Sequence, residues 1–232
     1  MEPGQVAVQA GAWMGGHPGG VESQGLIGVE VPVSHKVAAV GWVGAQRHGD
    51  GTIDPRDATI GALWLPVVTD EWTVRLQPGL SIPTGGIGSG LSFRPLSTAS
   101  VDPWLSADIV AGRAWVAGLS LVGRAPLYAG WDDVRQGPFL RVDLRGARRL
   151  GKVVVFAGPS AVRQAPGSPA LSTAKFTELA ATAGGVFHIA ERWSMTAQMR
   201  VPAWVTSGGI RQVSGGLGAR WVVGSPPEDH TH

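Results

Sequence analysis

Short runs in which apolar and polar side chains alternate recur along the whole chain. In residues 71–82, Trp72, Val74, Leu76, Leu80 and Ile82 belong to one series, and the residues between them form a more polar series. Successive side chains of an extended strand point to opposite faces, so such a segment has one apolar face and one charged face. Runs of roughly ten residues with this period are the signature of membrane-barrel strands.

The same pattern predicts strands throughout the sequence. Those segments are residues 5–14, 27–34, 36–47, 60–68, 71–82, 104–112, 114–124, 139–147, 153–163, 177–189, 194–205 and 217–223. The total of about twelve strands lies within the even-numbered range of bacterial single-chain barrels.

The predicted connections alternate in length. The longer ones are rich in Gly, Pro, Asp and Ser and span residues 17–23, 48–58, 84–103, 126–138 and 164–175. The shorter ones are residues 34–35, 69–70, 112–113, 148–151 and 190–193. Outer-membrane barrels show this asymmetry, with short periplasmic turns, long extracellular loops and both chain ends on the periplasmic side.

Composition excludes several classes of protein. The 232 residues include no cysteine, so disulfides and thiolate metal sites are excluded. The formal net charge is +2 and no basic block appears, so a nucleic-acid partner is not expected. No apolar run reaches the roughly 18 residues of a membrane helix. We predict no cofactor and no metal.

Charged residues in the alternating runs indicate which face meets lipid. An arginine facing lipid at mid-depth costs about 2 to 4 kcal/mol, so the charged face must line the lumen. The predicted solute-lining residues are Glu30, Glu71, Arg75, Asp108, Arg124, Arg141, Asp143, Arg145, Glu178, Arg200 and Arg220. Either a charge-lined channel or a plug of salt bridges is consistent with this set, and a soluble β-sandwich with a charged exterior is the competing fold.

Tryptophan is abundant, with ten residues against a single tyrosine. Tryptophans near predicted strand ends are typical of the girdles at membrane interfaces. The predicted girdle comprises Trp13, Trp64, Trp72, Trp104, Trp115, Trp193 and Trp221.

No catalytic residues are predicted. Glu178 and His188 share a predicted face, but the strand rise separates them by roughly 33 Å, so they cannot act as a pair. Pro78 and Pro202 fall inside predicted strands, where each removes a ladder donor and requires a bulge or a strand end.

The segment RLQPGLSIPTGG, followed by a loop and DPWLSADIVAG, resembles a bacterial outer-membrane family. Its members are barrels assigned to transport in the phenol meta-degradation pathway. The matching residues are Leu80, Pro83, Thr84 and Gly85, and the later strands continue the similarity as far as Gly218, Arg220 and Trp221. The resemblance implies a barrel that moves small, hydrophobic molecules, and it transfers no defined binding residue.

The predicted fold class is therefore all-β: a transmembrane up-and-down antiparallel β-barrel of about twelve strands. Residues 1–224 form the single barrel domain and residues 225–232 a flexible tail. We expect a mature form without its signal peptide, in the bacterial outer membrane, with membrane lipid and a small solute as partners and any partner subunit unidentified. The expected function is passive passage of small hydrophobic or anionic solutes; a scaffold barrel without an open pore and a lipid-modifying enzyme are the alternatives.

Overall fold

The structure is a computed structural model that describes residues 5–17, 20–47, 51, 53–55, 58–82, 102–112, 115–124, 138–165, 176–206 and 213–224. The strands are β1 Val6–His17, β2 Gly20–Pro32, β3 Val37–Arg47, β4 Ile53–Pro55, β5 Ala58–Val68, β6 Trp72–Ile82, β7 Asp102–Ala111, β8 Trp115–Arg124, β9 Phe139–Leu150, β10 Val153–Gln164, β11 Phe176–Ala190, β12 Trp193–Val205 and β13 Val213–Val223. Within the described residues, no helix has the length and apolar character that crossing a bilayer requires.

Consecutive strands pair antiparallel, and the sheet closes on itself. β1 pairs with β2 on one side and with β13 on the other, so the first and last strands meet and leave no free edge. β4 is a three-residue strand that pairs only with the end of β3, while β5 pairs with the first half of β3. Twelve strands therefore form the barrel wall, which confirms the predicted fold class.

The two ends of the barrel differ. At one end, called the turn end, lie the start of β1, the end of β13 and the short segments 33–36, 69–71, 112–114, 151–152 and 191–192. At the opposite loop end, the strands that meet there are separated in the sequence by residues 18–19, 48–52, 56–57, 83–101, 125–138, 165–175 and 206–212. The predicted tail, residues 225–232, lies outside the described residues.

The predicted long connection at residues 17–23 is wrong. β1 continues to His17 and β2 begins at Gly20, so only two residues separate the strands. Val21 pairs with Gly16 and Glu22 with Gly15, which continues the ladder nearly to the end of both strands. The polar residues of this segment indicated a loop, but a strand that lines a lumen also carries polar residues on its inner face.

Alternation gives the barrel an apolar exterior. Outward side chains such as Ile27, Leu144 and Leu217 are exposed, Leu217 to 64%. The buried hydrophobic residues of the described chain are few, namely Ala7, Ala38, Val40, Leu63 and Ala180. A soluble sandwich would bury its large apolar residues in a core, whereas here they stand on the outer surface, as expected where hydrocarbon is the solvent.

The two prolines predicted inside strands, Pro78 and Pro202, have different surroundings in the ladder. Ala180 pairs with Pro202 but Leu179 pairs with Trp204, so Ala203 is an extra bulge residue beside Pro202. Pro78 lies in the stretch of β6 where the registered pairing with β5 passes from Gly79 to Leu76. The bulge accommodates the missing donor of Pro202, whereas the register shift of the β5–β6 pairing lies between Trp64 and Val67 and not at Pro78.

Candidate solute-binding lumen

Most of the predicted solute-lining residues lie on inward positions of their strands. These are Glu30, Arg75, Asp108, Arg141, Asp143, Arg145, Glu178, Arg200 and Arg220. Each alternates with apolar residues of the outward series, so the strand period places them all on the inner face. The structure thus brings nine of the predicted charges into one lumen, while their role in solute passage stays a prediction.

Two predicted lumen residues have different outcomes. Glu71 lies in the tight turn between β5 and β6, where it is exposed, so the lumen position predicted for it is wrong. The turn is closed by Thr69, whose hydroxyl accepts hydrogen bonds from the backbone N–H groups of Glu71 and Trp72. This side-chain cap starts β6 one residue later than the alternation suggested. The side chain of Arg124 lies outside the described residues.

Three charged residues of β9 form a cluster. Asp143 is only 2% exposed and lies 2.9 Å from Nε of Arg141 and 3.4 Å from Nη2 of Arg145. The two arginines stand two residues to either side of Asp143, so all three side chains share the inner face. The guanidinium of Arg145 also lies 5.4 Å from the centre of the Phe156 ring. Because two arginines share one carboxylate, the cluster carries an excess positive charge.

The remaining ion pairs join neighbouring parts of the wall. Arg200 of β12 donates from Nη1 to Glu178 of the adjacent strand β11. Glu30 of β2 accepts a hydrogen bond from Gln9 Nε2 at 3.0 Å and lies 3.6 Å from Nη2 of Arg220, which is two strands away. Among the described residues, every ion pair of the lumen therefore runs along the wall, and none joins opposite walls.

On the opposite side of the barrel the charges are arranged more sparsely. Arg75 of β6 donates from Nη2 to Oε1 of Gln77 at 3.1 Å. Asp108 of β7 is the registered strand partner of Arg75, so both belong to the same level of the inner face.

Five of the predicted girdle tryptophans face outward near the turn end: Trp64, Trp72, Trp115, Trp193 and Trp221. Trp193 and Trp221 are registered partners whose rings stack at 5.2 Å. Trp115 stands at the start of β8, and the guanidinium of Arg148 lies 5.0 Å from its ring centre. This is the position that an interfacial girdle would occupy, and the girdle role stays a prediction.

The other two predicted girdle residues, Trp13 and Trp104, face the lumen, so their outward placement was wrong. The ring of Trp13 occupies the space that a β-carbon on Gly216 would need, and the ring of Trp104 occupies the same space at Gly79. Both lie near strand ends, as predicted, but each shares the parity of the polar series of its strand, which directs the ring inward.

Sequence reasoning missed two further luminal aromatic residues, Trp42 and Phe156. Trp42 covers Gly28, its registered partner on β2, and Phe156 covers Gly184, its registered partner on β11. The signal that could have found Trp42 is its shared parity with the inward residues Ala38, Val40 and Gln46.

A cavity of about 500 Å³ opens on the inner face towards the loop end. Its lining includes Trp13, Gln24, Gln46, Arg141, Glu178 and Arg200. It thus combines one indole, two guanidinium groups, carboxylates and side-chain amides in a volume typical of small-molecule sites. Among the described residues, no group of His, Cys, Asp and Glu could hold a metal ion.

No catalytic arrangement involves His188 in the described residues. Glu178 pairs with Val205 near one end of β11, whereas His188 pairs with Ser194 near the other. His188 is exposed and Glu178 is buried against Arg200. The two groups therefore lie at opposite ends of the barrel, as the strand rise predicted.

No protein-family model matches the sequence, and no curated protein matches it. Among solved structures, the chain is similar to an outer membrane channel from Pseudomonas putida F1, with a TM-score of 0.74, 13% identity and coverage of 96% of this chain and 97% of that chain. It is also similar to the NanC porin, with a TM-score of 0.60, 10% identity and coverage of 91% and 98%. The β domain of the Bordetella autotransporter BrkA gives a TM-score of 0.58, 14% identity and coverage of 95% and 99%.

These similarities define the fold. The chain has the closed antiparallel fold of the outer-membrane β-barrels, in agreement with the alternation and the loop asymmetry of its sequence. Since the similar structures include both channels and an autotransporter domain, the fold is compatible with more than one activity, and function has to be argued from the lumen.

Proposed function

We propose that this protein is an outer-membrane channel through which small solutes pass without a cofactor. The observation that carries the proposal is the direction of the ion pairs in the lumen. In the described residues Arg141 and Arg145 share Asp143, and Arg200 binds Glu178, so each of these charges contacts a partner on its own strand or on the adjacent strand. A plug of salt bridges would instead join opposite walls.

The size of the barrel supports passage of small solutes. Barrels of eight strands are filled by their own side chains or hold one small ligand, while porins of sixteen or more strands enclose a wide aqueous channel. Twelve strands lie between these limits, and the inner face carries a cavity of about 500 Å³. A narrow, polar passage is the arrangement that fits both features.

Several features support a membrane location. The large exposed side chains are apolar, and five outward tryptophans lie near the turn end, while Trp204 is exposed near the loop end of β12. The five short connections, the start of β1 and the end of β13 also lie at the turn end. In an outer membrane this end would face the periplasm. We extend the proposal to hydrophobic or anionic solutes, of which the resemblance of residues 80–85 to the phenol meta-degradation barrels implies the hydrophobic ones.

Ion conductance through planar bilayers and swelling of proteoliposomes test the proposal. We expect defined conductance steps and swelling in small uncharged solutes. A matched pair of variants would locate the path: Ser120→Trp adds bulk on the inner face of β8, whereas Ala117→Trp adds it on the outer face. Conductance should fall in Ser120→Trp and not in Ala117→Trp. A correctly folded protein that never conducts would instead indicate a structural barrel.

A further inference from the structure

The cavity near the loop end combines three features that recognise a particular kind of small molecule. The first is a flat apolar surface supplied by Trp13. Its indole lies over Gly216, the registered partner on β13, where a β-carbon would stand only 2.7 Å from Cδ2 of the ring. The ring therefore covers the bare backbone of Gly216 and also lines the cavity.

The second feature is an available guanidinium group. Within the described residues Arg141 contacts Asp143 through Nε, and its side chain remains 29% exposed at the wall of the cavity. Arg200 also lines the cavity, but Nη1 is bound to Glu178 and its side chain is only 13% exposed. Arg141 is therefore the cation that a ligand would reach.

The third feature is the balance of charge around Arg141. Asp143 is shared between Arg141 and Arg145, so the β9 cluster holds two positive groups and one negative group. The pair Arg200–Glu178 is neutral, while Glu22 adds a second carboxylate to the lining, and the hydrogen bond that it accepts from the neutral amide of Gln46 at 3.5 Å does not offset its charge. The excess positive charge is therefore local to the β9 cluster beside Arg141. An anion next to Arg141 would use the excess positive charge, whereas a cation would be repelled by it.

From these three features we propose that the cavity binds a small organic carboxylate that carries a flat ring. The carboxylate contacts the Nη atoms of Arg141, the ring packs against the indole of Trp13, and the amides of Gln24 and Gln46 complete the polar lining. The inference rests on the proposed function, because it names the class of solute that would use this part of the lumen.

Calorimetric titration of the detergent-solubilised protein tests the site without requiring conduction. Benzoate supplies both groups, benzamide removes the charge and acetate removes the ring. We expect benzoate to bind more tightly than either analogue. Arg141→Gln should weaken benzoate binding at least about tenfold, because a charge-assisted contact is lost. Trp13→Leu should weaken it by several-fold and should abolish the preference for benzoate over acetate.

Two further kinds of variant keep the result interpretable. Gly216→Ala retains Trp13 but displaces its ring, so it should weaken benzoate binding even if Trp13→Leu does not fold. Arg148→Gln and Trp115→Leu change an arginine and a tryptophan that contact each other on the outer face, so they should leave binding unchanged.

Equal benzoate affinity in the wild type and in Arg141→Gln would overturn the proposal. Glucuronate is a carboxylate without a flat ring, so tighter binding of glucuronate than of benzoate would also overturn it. If benzoate binds, the variants weaken its binding as expected and the barrel does not conduct, the binding site is supported and the proposed channel function is refuted. If the barrel conducts and benzoate does not bind, the channel function is supported and the binding site is refuted.

Discussion

The indole of Trp42 covers Gly28, its registered partner on the neighbouring strand, inside the barrel. The same relationship recurs where Trp13 covers Gly216, Trp104 covers Gly79 and Phe156 covers Gly184. In each case an aromatic ring lies over backbone that a glycine leaves bare, and it shields the strand where no side chain can do so. The glycines of the inner face are thus part of how the aromatic residues are positioned.

Replacement of Gly28 by alanine should lower the free energy of unfolding by about 1 to 3 kcal/mol, because the new β-carbon would have to displace the Trp42 ring. Gly25→Ala is the matched control on the same strand, since a β-carbon there meets nothing within 4 Å. Urea titration in detergent micelles gives both values. Equal stability of the two variants would show that the ring contact is unimportant.

The sequence predicted the barrel well because alternation is a local property that a single strand displays. The residues of the polar series in β9, Arg141, Asp143 and Arg145, all face inward as their period requires. The first connection was harder to predict, because Glu22 suits a solvated loop and a lumen-facing strand equally well. Only the pairing with β1 distinguishes them.

The site was only partly predictable. Trp13 follows Gln5, Ala7, Gln9 and Gly11 in the polar series of β1, so its inward direction was already visible in the alternation. The prediction relied instead on the location of Trp13 near a strand end. That location decides only how deep the ring lies along the barrel axis, whereas the alternation decides whether it faces the lumen or the lipid. The sharing of Asp143 by two arginines depends on side-chain geometry and could not be predicted from spacing alone.

An arginine placed on the outer face tests whether lipid surrounds the barrel. Leu144 is an outward residue in the middle of β9, so Leu144→Arg should cost about 2 to 4 kcal/mol in lipid vesicles. Ser120→Arg places the same charge on the inner face opposite Asp143 and should cost far less. Unfolding in urea from vesicles compares the two. A barrel whose outside faced water would tolerate Leu144→Arg.

Loss of one partner of the Arg200–Glu178 pair should be costly, since both side chains are largely buried. We expect Glu178→Gln to lower the free energy of unfolding by about 3 kcal/mol, because Arg200 would keep its charge without a counter-ion. The double variant Glu178→Gln with Arg200→Gln should be destabilised by less than the sum of the single variants. A double-mutant cycle measures this difference, and strict additivity would mean that the two groups do not interact in solution.

Tryptophan fluorescence in brominated lipid distinguishes the two populations of indoles. Bromine quenches only rings near the acyl chains, so the outward Trp115, exposed to 69%, should be quenched while the inward Trp42 is protected. The fraction of total emission that is quenched should therefore fall in Trp115→Phe and rise in Trp42→Phe. Trp13→Phe should behave like Trp42→Phe if its ring lies in the lumen. A fall in the quenched fraction for Trp13→Phe would show that Trp13 faces the lipid at the membrane interface. The proposed binding cavity would then lack its aromatic surface.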